Sequence, residues 1–256
     1  MILLIDIGNT RIKFARLRGT TPGPAQAREH RGAATALRAA LRSVRGVTAI
    51  VAVNVAGASF DRALAAEARA RGVPLTIIES TRVAGGVRNG YEDTWRLGAD
   101  RWVGAIGAHA VARGKAVVFA NAGTALTVDA VAATGRHLGG AIVPGPAAMI
   151  DSLLAGTHGI RRRARGVPAR SRVLFASNTA SALAAGAAFA AAALIDRAVA
   201  EAARRVGGRP MLLLTGGSAR ALAPHIKSAV RIVPDLVLRG LAVLAGRSPT
   251  RAPARR

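Results

Sequence analysis

Within the first thirteen residues, Asp6, Gly8, Asn9, Thr10 and Lys13 bring together a carboxylate, a residue without a side chain, two neutral donors and an ammonium group. A carboxylate at the end of a buried strand can hold a hydrated Mg2+. Gly8 lets the backbone approach an anion and tolerates a positive φ, and the amides of such a turn form an anion-binding concavity. Lys13, on the returning strand, adds charge for a phosphate. Asp, Gly and Asn are also ordinary turn residues, so this turn alone fits phosphate binding and a plain hairpin equally well. A second copy changes the balance: Ala120-Asn121-Ala122-Gly123-Thr124-Ala125 echoes Ile5-Asp6-Ile7-Gly8-Asn9-Thr10. Each is a strand, an Asp or Asn, a Gly turn with hydroxyl residues, and a strand paired back. A repeated supersecondary unit predicts two related half-chains, and a cleft between them is a natural ligand site.

Two other segments have the residue types for catalysis. Gly98-Ala99-Asp100-Arg101-Trp102 opens a helix. An Asp there complements the helix dipole, and spacing alone favours that reading. A kinase acting on an alcohol also needs a carboxylate near the hydroxyl and cations against the phosphoryl charge, which Asp100 and Arg101 can supply. Leu214-Thr215-Gly216-Gly217-Ser218 joins a buried strand to a helix, where glycines would let a nucleoside lie against backbone; by itself the segment favours a plain connection. The sequence contains no G-x-x-x-x-G-K-[ST] loop, no strand-linked G-x-G-x-x-G and no G-x-S-x-G. His30, His109, His137, His158 and His225 lack the spacing of metal ligands.

The elements that must position these residues follow from periodicity. Ile2–Ile7 is predicted as a buried strand, with a hairpin partner through Ile12, Phe14 and Leu17. Helices are expected over 33–45 and 59–71 and strands over 47–53 and 74–78. A Gly-containing segment, 85–98, leads to a helix over 99–112. The pattern restarts at Lys115: strands over 116–120 and 126–131, a turn over 121–124, and helices over 145–154 and 178–206. A strand over 211–215, a helix from about 218, a strand over 230–233 and a helix over 235–245 follow, then a Pro/Arg-rich tail from Arg247 expected to fray. The order predicts mixed sheets flanked by helices.

Half the residues are hydrophobic but only 3% are aromatic, so the core must be filled by small aliphatic side chains. The formal net charge is +24, and Lys13, Lys115 and Lys227 are the only lysines among 37 basic residues. Such a charge suits nucleic-acid phosphates or other anionic partners. Arginines at helical spacing, as in Arg38, Arg42 and Arg45, instead read as solvated helix faces, and the Arg-for-Lys bias as GC-rich composition. No helix-turn-helix or aromatic interleaving marks a nucleic-acid reader. The lack of cysteine excludes disulfides and thiolate chemistry. No signal peptide or membrane span is expected, and a reducing cytoplasm is the expected location.

Taken in order, these segments resemble the type III pantothenate kinases of the acetate-kinase/sugar-kinase/actin superfamily, some of whose members carry the name Bvg accessory factor. The matching segments are residues 6–13, Asn89-Gly90-Tyr91, Leu97–Trp102, Ala122–Asp129, Gly139–Gly145, Asn178-Thr179 and Thr215-Gly216-Gly217. The resemblance implies an α/β fold of two actin/sugar-kinase-like (ribonuclease H-like) domains, placed at 1–114 and 115–256, with mixed sheets flanked by helices and a cleft between them. It implies ATP-dependent phosphorylation of pantothenate. Asp6, Ile7, Gly8, Asn9, Thr10, Arg11, Ile12, Lys13 and Thr124 would bind ATP, with Mg2+ held by Asp6 through water. Tyr91, Gly98, Ala99, Asp100, Arg101 and Thr179 would contact pantothenate, with Asp100 as proton acceptor. It also implies a homodimer with sites near the subunit interface. The family usually has Asp where this chain has Asn121, a position that helps hold a monovalent cation (K+ or NH4+). An amide oxygen can coordinate but brings no charge. Arg161–Arg172 reads as a basic, solvated loop. Another phosphotransferase or phosphohydrolase of the superfamily and a regulatory nucleic-acid binder are the alternatives.

Overall fold

The computed structural model describes residues 1–169 and 173–246. The tail from Arg247 and residues 170–172 of the basic segment therefore lie outside the described residues. The chain divides into two compact units: Met1–Arg113 together with the segment from Asp235 onward, and Gly114–Pro234.

The first unit begins with β1 (Ile2–Ile7), β2 (Arg11–Arg18), β3 (Thr21–Pro22), β4 (Gln26–Glu29), α1 (Thr35–Leu41), β5 (Ala49–Asn54), α2 (Ala58–Arg71) and β6 (Leu75–Ile77). A small hairpin, β7 (Val83–Ala84) with β8 (Val87–Arg88), precedes α3 (Ala99–Ala112). The main sheet runs β3-β2-β1-β5-β6, with β4 also paired to β2. β1 is antiparallel to β2 and parallel to β5. Because side chains alternate across a strand, Leu3, Ile5 and Ile7 of β1 face α1 and α2, packing with Leu37, Leu41, Phe60 and Leu64. Leu4 faces the other way, toward Val103 of α3. Asp6 has the parity of Leu4, so the same alternation that builds the core aims this carboxylate at the α3 face.

The second unit holds β9 (Val117–Ala122), β10 (Ala125–Val131), β11 (His137–Pro144), α4 (Pro146–Gly156), α5 (His158–Ala164), α6 (Thr179–Val206), β12 (Met211–Thr215), α7 (Ala219–Leu222) and β13 (Val230–Ile232). Its sheet order, β11-β10-β9-β12-β13, reproduces that of the first unit, with β9 antiparallel to β10 and parallel to β12. The echo between the two turns is thus a repeat of topology as well as of residues. Val118, Ala120 and Ala122 pack against Ala188, Ala191 and Ile195 of α6. That helix is long and apolar enough to cross a membrane, but the packing of one face into this core accounts for its apolarity. Asn178 caps it by accepting from the Ser181 amide at 2.9 Å, and Gly207, with φ 68°, ends it.

The last helix, α8 (Leu236–Ala245), belongs to the first unit, whereas the sequence reading assigned 115–256 to one domain. Its Val237, Leu238 and Leu241 bury against Leu4, Val51, Val53 and Val103. Two glycines make this possible. A Cβ on Gly240 would fall on the Val103 carbonyl, and one on Gly107 on the Leu236 carbonyl, so the α3 and α8 backbones touch. The other departures are local. Helix α1 is shorter than 33–45. The segment expected as a basic loop begins with the second half of α5, whose Arg161 donates to the Leu154 and Ala155 carbonyls at 2.7 and 2.8 Å and so satisfies the end of α4. β9 extends through Ala122, which places Asn121 inside a strand instead of a turn.

Candidate functional site

The β1–β2 turn is closed by the Gly8 amide donating to the Arg11 carbonyl at 3.0 Å. Its carbonyls are tied back by one residue. Gly32 N–H donates to His30 Nδ1 at 3.0 Å, which leaves the proton on Nε2 to donate to the Gly8 carbonyl at 2.7 Å. The His30 amide donates to the Thr10 carbonyl at 3.2 Å. His30 is buried, with its ring edge-on to Phe60. With both carbonyls held inward, the turn presents Asn9, Thr10 and Arg11 to solvent. Gly8 itself does not adopt a positive φ, and a Cβ there would meet nothing closer than 3.7 Å. The expectation that this glycine serves an unusual backbone conformation is corrected; what it contributes is an open approach to the backbone.

Asp6 and Lys13 are directly opposed across β1 and β2, on the face that meets α3 and α8. Burial pushes the Asp6 carboxyl up to about 7, against the pull of Lys13, and the charges of Asp100 and Asp235 push it the same way. A divalent cation here would relieve both the burial and the repulsion, so the site fits the Mg2+ that accompanies ATP. Among the described residues no three His, Cys, Asp or Glu side chains are grouped to hold an ion by themselves. Lys13 Nζ also stands 3.8 Å from Asp235 Oδ1.

Asp100 occupies the first turn of α3, where its carboxylate accepts from the Arg101 amide at 2.8 Å. A Cβ on Gly98 would stand 2.9 Å from that carboxylate oxygen, so Gly98 leaves Asp100 its position. Arg101 is buried and donates to the Tyr91 hydroxyl at 3.1 Å, with its guanidinium 5.7 Å from the ring centre. Tyr91 is placed in turn by Asn89. The Asn89 side chain accepts from the Tyr91 amide at 2.9 Å and donates to the Thr81 and Thr94 carbonyls. The first unit thus brings Asp6, Lys13, Tyr91, Gly98, Ala99, Asp100 and Arg101 into one body.

The remaining expected residues belong to the second unit. Asn121 pairs with Thr127 on one side and Thr215 on the other, a row of neutral oxygen donors across the three central strands of the sheet. Such a row fits a monovalent cation by donor type but lacks the charge of a carboxylate. Thr124 lies in the β9–β10 turn, where its carbonyl accepts from the Gly145 amide at 2.9 Å. Gly216, with φ 95°, lies so close to Ala122 that a Cβ would stand 2.5 Å from its carbonyl oxygen. Its glycine character is therefore required by strand-to-strand packing, a different reason from the nucleoside contact expected. Thr179 is the first residue of α6, on the wall of an apolar groove of 360 Å³ with Met149, Ile150, Leu153 and Leu183.

Sequence reasoning missed three residues here: His30, Asn89 as a brace for Tyr91, and Asp235. A lone histidine and a lone Asp before a helix carry no spacing signal; only the Asn89-Gly90-Tyr91 segment was visible.

The sequence profile of the family described as type III pantothenate kinase matches residues 2–201. Proteins named type III pantothenate kinase from Nitrosococcus oceani, Herminiimonas arsenicoxydans and Chromobacterium violaceum are 38%, 40% and 40% identical. Each alignment covers 96% of this chain, and 94%, 97% and 99% of the respective relative. Among solved structures, a Sinorhizobium meliloti protein described as a 2-dehydro-3-deoxygalactonokinase superposes with a TM-score of 0.59 at 16% identity, covering 96% of this chain and 98% of its own. The ethanolamine utilization protein EutJ from Carboxydothermus hydrogenoformans superposes with 0.54 at 12% identity, covering 94% and 89%. At these identities the superpositions establish the fold.

Proposed function

This chain belongs to the type III pantothenate kinase family, and we propose that it transfers the γ-phosphoryl group of ATP to the primary hydroxyl of pantothenate, the first step toward coenzyme A. The observation that carries the reading is the convergence of Asp6, Lys13 and Asp100 in one unit whose family match spans nearly the whole chain. Residues 6–13 receive the ATP phosphates: the turn offers backbone and the side chains of Asn9, Thr10 and Arg11, and Lys13 supplies a fixed cation. This reading also assigns Thr124 to ATP. Asp6 meets Mg2+ through water. Tyr91, Gly98, Ala99, Arg101 and Thr179 hold pantothenate.

Asp100 accepts the hydroxyl proton as the alkoxide oxygen bonds to the γ-phosphorus and the bond to the departing ADP oxygen breaks. Arg101 offsets charge that develops on the phosphoryl oxygens. Most of this is positioning and electrostatics, which suits a site assembled from strand ends and one helix start.

A homodimer fits the second unit. Helix α4 is apolar yet buries no residue, and the groove it forms with α6 is lined by Met149, Ile150, Leu153 and Leu183. A second copy of the chain is the occupant this reading assigns, and Thr179 on the same groove would bring the pantothenate contact near that interface. The reaction is placed in the cytoplasm, where ATP is supplied.

ADP release with pantothenate, ATP and Mg2+, with and without K+ or NH4+, tests the reading. Turnover that needs pantothenate supports it. No turnover from folded protein overturns it. The salt comparison reports on Asn121: with neutral donors only, stimulation by K+ is expected to be weak and to rise in Asn121→Asp.

A further inference from the structure

Asp235 is the residue at which the chain re-enters the first unit. It has a left-handed backbone, φ 57° and ψ 41°, one of three non-glycine residues among those described with a positive φ. That conformation costs an L-residue free energy and persists only where the surroundings over-determine it. An Asp at the start of a helix ordinarily accepts from the amides of the first turn. Asp235 precedes α8 yet makes no such side-chain bond. Its carboxylate points instead to Lys13, with Oδ1 3.8 Å from Nζ, and both side chains are about three-quarters removed from solvent. The glycine contact between α3 and α8, at Gly107 and Gly240, anchors the helix that follows it.

We infer that Asp235 is a positioning residue for phosphoryl transfer, holding the Lys13 ammonium on the strand face where it meets the ATP phosphates. Lys13 has four rotatable bonds, and its cross-strand neighbour Asp6 lies to one side. A second carboxylate, just ahead of a helix, restricts where the ammonium can go and lowers the ordering cost when a phosphate arrives. The strained backbone is the price of aiming a carboxylate across the unit instead of capping α8. The inference rests on the proposed phosphate-binding role of Lys13.

The test is a double-mutant cycle on pantothenate-dependent turnover. Asn tolerates the left-handed region nearly as well as Asp, so Asp235→Asn removes the charge and keeps the backbone; Asp235→Gly checks the same charge loss without strain. Both are expected to lower kcat/KM for ATP by roughly ten- to a hundredfold, the order expected when a catalytic group is misplaced by about 1 Å, with the melting temperature not lowered in Asp235→Asn and raised or unchanged in Asp235→Gly, which relieves the backbone strain. In a Lys13→Met background, Asp235→Asn should have no further effect. Loss of the same size in that background, or kcat/KM within twofold of the parent, overturns the inference. If Lys13→Met alone leaves kcat/KM unchanged, it is the phosphate-binding role of Lys13 that fails.

Discussion

The ring of His30 donates from Nε2 to the Gly8 carbonyl at 2.7 Å while its Nδ1 accepts from Gly32. A buried imidazole twenty-two residues along the chain thus sets the shape of the turn expected to receive phosphate. Replacing it with Ala leaves the Gly8 carbonyl without its donor. His30→Ala should lower stability by about 1–3 kcal/mol and weaken ATP binding about tenfold. Denaturant unfolding and calorimetry measure the two separately, and an unchanged ATP affinity would reduce His30 to a core residue.

Asp6 predicts a pH dependence. Its folded pKa, about 7, is above the ordinary 3.8, so the folded chain holds this proton more tightly than the unfolded one. The stability it confers is complete below about 4 and is lost as pH rises through about 7. The slope approaches about 1.4 kcal/mol per pH unit within that window. Asp6→Asn should remove that slope, so that the variant overtakes the parent in stability at pH 8 without ligand. Unfolding free energies of both proteins across pH 5–8 decide the matter; parallel curves would contradict it.

Asp100 is expected to be needed for chemistry more than for binding. Asp100→Asn keeps the acceptor for the Arg101 amide but cannot take the hydroxyl proton. Turnover should fall by about 10²–10⁴-fold, with ATP affinity within a factor of about three. Near-normal turnover would remove the base assignment.

Gly240 touches α3 through the Val103 carbonyl. Gly240→Ala must push the two helices apart, at about 1–3 kcal/mol of overpacking. Turnover should fall with it, because α3 carries Asp100 and α8 follows Asp235. Urea unfolding checks the first effect and the ADP assay the second. A variant as stable as the parent would show that the contact is looser than described.

Much of this protein was legible from residue order alone. Short continuous apolar runs placed β1 and β9 and alternation placed β2, and the turn residues that follow β1 and β9 exposed the repeat that the two sheets bear out in their strand order. The helix over 99–112 was bounded correctly because Gly98 before it, Arg113-Gly114 after it and an unbroken apolar pattern leave little choice. The two-residue strands β3, β7 and β8 were not seen, since segments that short are held by neighbours instead of by their own periodicity. β4 was missed for a related reason: all four of its residues are exposed, so no alternation marks it. The second half of α5 was read as loop because three consecutive arginines mask a helix turn whose Arg161 serves the end of α4.

What the sequence by itself determined is the family, the duplicated turn and the residues available for phosphoryl transfer, since all of these are local patterns a few residues long. Tertiary structure alone decided that α8 joins the first unit, that His30 shapes the Gly8 turn, and that Asp235 reaches Lys13. An apolar helix face is compatible with either unit, and the choice depends on a backbone contact between Gly107 and Gly240, 133 positions apart in the chain. Charge pairs and braces between distant residues have no period and no spacing, and exist only once the chain has folded.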